Sequence, residues 1–383
     1  MSKVVAGISY GYLMQKIYPN NDTWIYFSES LAEYRTLIHD PLLFFRTLIP
    51  SVNHISVPDF FSSEGGSNWK YMGTYLVIKI LALCNLLSGS NYYVDVIFFN
   101  IFSFTGLYFI CQVTSRILRG NTAFQFLVLF FFPGFLFWGS GIHKDGLIIC
   151  CIGLVIYAFR KLMVLGPNWK WRLVGLIAFF FLFLIRNAVA VLLLPALVAW
   201  WLAERKKEKP FLIFCIVFTI TIILFFLSLW LPDKFNLPLR MAERQHSFLQ
   251  LSGNSELPLE ILQPSAGSYI SVLPQALNHV FLRPYPNELK NPLYWAAFLE
   301  MAVLILIVFL YFAMNPGNWK KLITEPYNLF LLFFSISSCI LIGYTVPFVG
   351  AIVRYRAMYE ILLLLPLVSG LRFRNLRVPD SHR

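Results

Sequence analysis

A small set of ionisable residues in this chain sits where the surrounding sequence gives no ordinary reason for a charge. They are Asp22, the run His143-Lys144-Asp145, Arg186, Arg283, Glu288, Arg354 and Arg356. Two acids, Glu300 and Glu360, lie inside apolar runs nearby. Ionisable groups at membrane depth pair with one another or line a cavity. Several arginines and a lysine suit a phosphate or pyrophosphate head group, because arginine is always charged and offers a planar, bidentate fork. A carboxylate among them suits a general base that takes a proton from an acceptor hydroxyl. These are the parts needed to move a sugar from a lipid-phosphate donor, with cations stabilising the charge that develops on the departing phosphate. Asp22 is the candidate catalytic base; His143, Lys144, Asp145, Arg186, Arg283, Glu288, Arg354 and Arg356 are the candidate substrate-binding residues.

Each residue also has a plainer reading. Asp22 follows Asn21 where a helix-capping Asp is common, and Asp145 could cap a helix while Lys144 snorkels at an interface. Arg354 and Arg356 could simply neutralise Glu300 or Glu360. Arg186 is the hardest to explain away, since a turn between two short helices has little need for an arginine.

The elements that must position these groups are apolar helices. Hydrophobic residues make up 58% of the chain and charged residues 13%, against about 25% charged in a soluble domain. The pattern predicts an all-α polytopic membrane protein, one membrane domain over residues 1–383, with about nine or ten crossings of ~20 residues each. The clearest are 93–112, 122–139, 146–164, 211–231, 293–313 and 327–345; the segments 173–185, 188–203 and 357–370 are shorter. Arg186-Asn187 separates two of these, and a turn near one surface avoids an arginine at mid-membrane. The apolar stretch 4–14 is either a short first helix or part of a longer one.

The net charge of +12 falls mainly in short loops, as the positive-inside bias predicts. Arg116/Arg119, Arg160/Lys161, Lys170/Arg172, Arg205 to Lys209, Lys320/Lys321 and a basic tail at 371–383 with Arg372, Arg374 and Arg377 all fall on one side, read as the cytoplasm. The other side receives a first long loop at 19–92, the loop 140–145, the Arg186 turn, a second long loop at 232–292 and the loop 346–356. Charges of the first loop include Glu33, Asp59 and Glu64. The segment 72–88 carries Lys79 and would invert every later loop if it crossed, so it is expected to lie on the surface or re-enter.

The six cysteines lie in apolar segments without metal-type spacing, and no Walker loop, HExxH or Gly-rich cofactor loop occurs. Topology accounts for the basic charge, so nucleic acid is not an expected partner. No cofactor is expected; a divalent cation is compatible with the chemistry but nothing indicates one.

Three stretches carry a resemblance. Phe132-Pro-Gly-Phe-Leu-Phe-Trp-Gly-Ser-Gly-Ile-His-Lys-Asp-Gly146 resembles a recurring pattern in membrane proteins of bacterial surface-polysaccharide clusters, and Phe281-Leu-Arg-Pro-Tyr-Pro-Asn-Glu288 and Pro347-Phe-Val-Gly-Ala-Ile-Val-Arg-Tyr-Arg356 fit the same group. The chain is similar, in patches from about 20 to 370, to the GT-C superfamily of polyprenyl-phosphate-sugar-dependent glycosyltransferases, which includes protein mannosyltransferase-like and aminoarabinose-transferase-like enzymes. The resemblance implies a catalytic Asp in the first outer loop, the position of Asp22, and outer-face basic residues on the lipid phosphate, to which Arg186, Arg283, Arg354 and Arg356 correspond by location. It also implies a multi-pass protein of the bacterial cytoplasmic membrane acting at its non-cytoplasmic face. Membrane lipid, a polyprenyl-linked sugar, a glycan, lipid or protein acceptor, and envelope-assembly proteins would be its partners. The first helix is shortened and the usual acidic pair is Asn21-Asp22 here. A Wzy-like polysaccharide polymerase and a non-enzymatic lipid-linked-glycan transporter or assembly partner are the competing readings.

Overall fold

The computed structural model describes residues 1–18, 21–47, 68–118, 120–206, 208–251, 253, 255–289, 292–314 and 319–370. Asp59, Glu64, Arg119, Lys207 and the tail 371–383 lie outside the described residues. Among the described residues sixteen α-helices follow one another: α1 (Ser2–Ile17), α2 (Asp22–His39), α3 (Pro41–Arg46), α4 (Asn68–Ser88), α5 (Tyr92–Ile117), α6 (Thr122–Phe131), α7 (Pro133–Trp138), α8 (Lys144–Leu165), α9 (Trp169–Lys206), α10 (Pro210–Leu227), α11 (Leu237–Leu249), α12 (Ala266–Phe281), α13 (Pro292–Met314), α14 (Trp319–Thr324), α15 (Pro326–Thr345) and α16 (Val349–Gly370). Among the described residues there is no strand, only an isolated bridge between Glu256 and Phe348.

Among the described residues, six helices are long and apolar enough to cross a membrane: α5, α8, α9, α10 with the short turn that follows it, α13 and α15. Their outward surfaces are apolar. On α10, Leu212, Ile216, Ile220 and Ile223 are each about half exposed. Water would oppose such a surface, whereas hydrocarbon accepts it, and a helix satisfies its own backbone there. This is a membrane-embedded helical protein.

α9 is not one straight rod. Its backbone leaves helical geometry at Arg186, with φ −153° and ψ 81°. Near its start, the Trp171 ring lies 5.3 Å from that of Tyr157; near its end, Glu204 pairs with Arg160 at 2.6 Å. Tyr157 and Arg160 are one turn apart on α8, while 33 straight helical residues would span ~50 Å. The chain therefore folds back at Arg186 into two antiparallel legs, the turn expected from the sequence, and Asn187 accepts the Ala188 N–H at the start of the second leg.

Close backbone approach holds the centre. At the α5–α8 crossing, a Cβ on Gly106 would lie 2.2 Å from the Ile149 carbonyl oxygen, and one on Gly153 would lie 2.2 Å from that of Gly106. Small residues let membrane helices meet this closely. α16 is buried along most of its length, against α15, α13, α6 and α7.

The structure revises three boundaries. The run 122–139 is two helices, because Pro133 lacks the N–H that would continue α6 and instead begins α7. The expected loop 346–356 is only three residues long, since α16 begins at Val349 and takes Arg354 and Arg356 into a helix. Within 232–292 the chain forms α11 and α12, and α12 packs on α15 so tightly that a Cβ on Gly343 would lie 2.2 Å from the Ala276 carbonyl oxygen. α2, α3 and α4 form a layer near Lys144, pinned by Lys79. Its ammonium donates to Glu33 at 2.6 Å and to the Phe44 carbonyl at 3.1 Å. The basic residues Arg160, Lys161 and Arg205 lie at the far end of the bundle from His143, Arg186 and Arg354, which puts the two groups of charge at opposite ends of α8 and α9.

Candidate functional site

Six of the nine residues singled out in the sequence converge at one end of the bundle. α2 supplies Asp22, α8 begins with Lys144 and Asp145 just after His143, the α9 turn supplies Arg186, and α16 supplies Arg354. Arg354 is the hub. One guanidinium nitrogen donates to Asp22 at 3.0 Å, and its Nε stands 3.8 Å from Asp145, an ion pair beyond hydrogen-bond length. Asp145 also faces Arg186 at 3.7 Å. The Tyr355 ring lies against both arginines, with Arg186 at 4.1 Å and Arg354 at 4.8 Å from its centroid. Cations over aromatic faces are attracted by the ring quadrupole.

Local structure explains why these groups are available. Asn21, not Asp22, caps α2, accepting the Trp24 N–H at 3.1 Å, which leaves the Asp22 carboxylate to Arg354. Asp145 sits in the first turn of α8 and turns inward, buried, where the helix dipole favours a carboxylate. Lys144 donates to Thr74 of α4 at 2.6 Å, and its ammonium lies 5.9 Å from the centre of the Tyr26 ring. His143 exchanges a 2.6 Å hydrogen bond with the Tyr10 hydroxyl of α1.

The charges act on one another. Burial alone would raise the Asp22 carboxyl, but the hydrogen-bonded Arg354 guanidinium, with Lys144 behind it, outweighs burial and holds it below its usual range. Burial, with Arg354, pulls the His143 imidazole down to about 3, so it is neutral at physiological pH. Asp22 is half exposed, its side chain at 47%, while Asp145 is nearly enclosed. An incoming group can therefore reach Asp22 while Asp145 stays behind the arginines.

Arg283, Glu288 and Arg356 do not join this network. Arg283 pairs with Glu288 at 2.5 Å, and Glu288 also accepts the Tyr285 N–H. Arg356 is buried and donates to the carbonyls of Val280 and Arg283 at 2.8 Å each, while its Nε lies 2.8 Å from Glu360. It ties the end of α12 to α16. Glu300 accepts the Gly134 N–H at 2.8 Å, and a Cβ on Gly134 would fall 2.2 Å from its carboxylate oxygen, so the Pro-Gly break makes room for this acid.

Tyr10, Thr74 and Tyr355 reach the network or its rim and were not among the sequence candidates. Tyr355 carried a usable signal, being flanked by two of the arginines; Tyr10 and Thr74 carried none, because distant segments bring them in. Among the described residues no group of three or more His, Cys, Asp or Glu side chains could hold a metal ion. Comparison with protein-family models, curated proteins and solved structures returns no match.

Proposed function

We propose that the chain is a GT-C-like glycosyltransferase that moves a sugar from a polyprenyl-phosphate donor to an acceptor hydroxyl at the non-cytoplasmic face of a bacterial cytoplasmic membrane. The observation that carries this reading is the meeting of a half-exposed carboxylate, Asp22, with Arg354, Lys144 and Arg186 at the end of the bundle opposite its basic loops. α5, α6 with α7, α8, the two legs of α9, α10, α13, α15 and α16 would make about nine crossings, with loop charges that follow the positive-inside bias. α2 to α4, α11 and α12 would then lie on the outer side.

In the proposed reaction the acceptor oxygen attacks the anomeric carbon, with inversion. Its proton passes to Asp22, and the bond from the anomeric carbon to the phosphate oxygen breaks. The electron pair leaves on the phosphate, where Arg354 and Lys144 stabilise the new charge. The ion pair in the structure gives the step an order. While Arg354 holds Asp22, the base is engaged; a donor phosphate draws Arg354 away and frees it.

The test is transfer from a labelled polyprenyl-phosphate sugar by purified protein, with Asp22→Asn and Arg354→Gln beside the parent. Loss of turnover in Asp22→Asn with intact folding supports the reading. If Asp22→Asn stays active while Arg354→Gln stops chain growth from pyrophosphate-linked units, a polymerase replaces it. Absence of turnover with any donor favours a transporter or assembly partner.

A further inference from the structure

A cleft opens beside the network, between the α9 turn, α11, α15 and α16. Arg186, Arg244 and Tyr355 line one part of it; Val189, Ile342 and Val346 line the other. Arg244 has no hydrogen-bond or ion-pair partner among the described residues. A second arginine faces it instead of a carboxylate, and burial together with Arg186 lowers its guanidinium to about 10. Two like charges brought together in a partly apolar cleft cost free energy unless an anion joins them.

The local charge count specifies that anion. Lys144, Arg186 and Arg354 surround two carboxylates, Asp22 and Asp145, and Arg244 stands beside Arg186 with no carboxylate of its own, so network and cleft together hold four cations against two carboxylates and two positive charges lack a counter-charge. His143 and the tyrosines add none. A phosphate joined to two carbons carries one negative charge, whereas a phosphate monoester carries close to two at neutral pH. In glycosyl transfer the phosphate starts as the first and leaves as the second. A site with two spare positive charges is matched to the departing phosphate rather than to the intact donor, which is what lowers a barrier.

We propose that the Arg186–Arg244 cleft seats the leaving phosphate as a monoester dianion on an apolar chain, with Arg244 as a phosphate-binding residue and Val189, Ile342 and Val346 taking the first part of the chain. This rests on the transferase reading above, but it concerns binding and is measured without a sugar. Equilibrium binding to the full-length protein at pH 7.5 would be compared for farnesyl phosphate, its methyl diester and inorganic phosphate. The parent protein should bind the monoester at least about tenfold more tightly than the diester, and more tightly than inorganic phosphate, which lacks the chain. Arg244→Gln should lose about 10- to 100-fold for the monoester, the range of one charge-assisted hydrogen-bonded contact, and much less for the diester. Should that variant fail to fold, Arg244→Lys keeps the charge without the fork and should retain a preference for the monoester at weakened affinity.

Equal affinity of the parent for monoester and diester, or monoester binding unchanged in a folded Arg244→Gln, overturns the proposal. Inorganic phosphate binding as well as farnesyl phosphate overturns the role of the apolar wall. A monoester preference that follows Arg244, without sugar transfer from any donor, keeps the cleft and removes the transferase reading. Transfer without that preference does the reverse.

Discussion

The Asp22–Arg354 pair gives the most direct test of the site. A double-mutant cycle with Asp22→Asn, Arg354→Gln and both together isolates their coupling. The contact is 3.0 Å long, with the Asp22 side chain 47% exposed and that of Arg354 18% exposed. Unscreened attraction at this distance is about 5.5 kcal/mol at an effective dielectric constant near 20. Water at Asp22 removes much of it, since fully exposed pairs are worth about 0.2–1 kcal/mol and hydrogen bonds to charged groups about 1.5–3. The coupling should be about 1–2 kcal/mol. Removing Arg354 does not orphan Asp145, which keeps Arg186 at 3.7 Å, so the single variants should fold. Acid supplies a second reading. Because Asp22 is held below its ordinary value, the pair's contribution is complete above the unfolded value of about 3.9 and is lost as pH falls through the depressed folded value. Thermal melts at pH 5 and pH 8 should therefore give the same coupling, and melts below about pH 4 a smaller one. A coupling indistinguishable from zero at pH 7, or one that grows on acidification, refutes the pairing and with it the release of a base by phosphate.

Two further outcomes bear on the scaffold. Arg356→Gln should destabilise by about 3–5 kcal/mol, because it strands the buried Glu360 and frees two carbonyls; adding Glu360→Gln should restore part of the loss, and melts of the purified variants measure it. Spin labels at Trp171 and Glu204 should report a separation under ~20 Å by pulsed EPR, whereas an unbroken α9 would hold them ~50 Å apart.

The membrane class was legible because apolar length and loop charge are one-dimensional properties. So was the break at Arg186-Asn187, since an arginine flanked by runs such as Phe179 to Ile185 and Ala188 to Leu194 is tolerable only where the chain turns. The convergence of His143, Lys144, Asp145, Arg186 and Arg354 followed from the same threading, which brings successive outer turns to one end. The division of labour between Arg354 and Arg356 was not legible. Placed in a loop, the two looked equivalent. On a helix, residues two apart point about 200° apart, so one faces Asp22 and the other is driven into the interior, where it can remain only with Glu360 and two carbonyls. The boundary was hidden because Pro347 and the charges of Arg354 and Arg356 mask the apolar pattern of the first two turns of α16. α12, folded in between α15 and α16, supplies the carbonyls that make a buried arginine affordable there.

The same geometry decides which arginines remain free to act. Arg356 is committed to Glu360 and to two carbonyls of its own scaffold, and Arg283 to Glu288. Arg186 and Arg354 share Asp145 across 3.7 and 3.8 Å, contacts that an incoming anion can replace. Arg244 holds no partner among the described residues. Exchangeable charge thus increases from the buried interior of α16 toward the cleft beside α11. Under the proposed reaction, a phosphate entering there would meet the uncommitted arginine first and the one that holds Asp22 last, which would free the carboxylate only once the phosphate is seated.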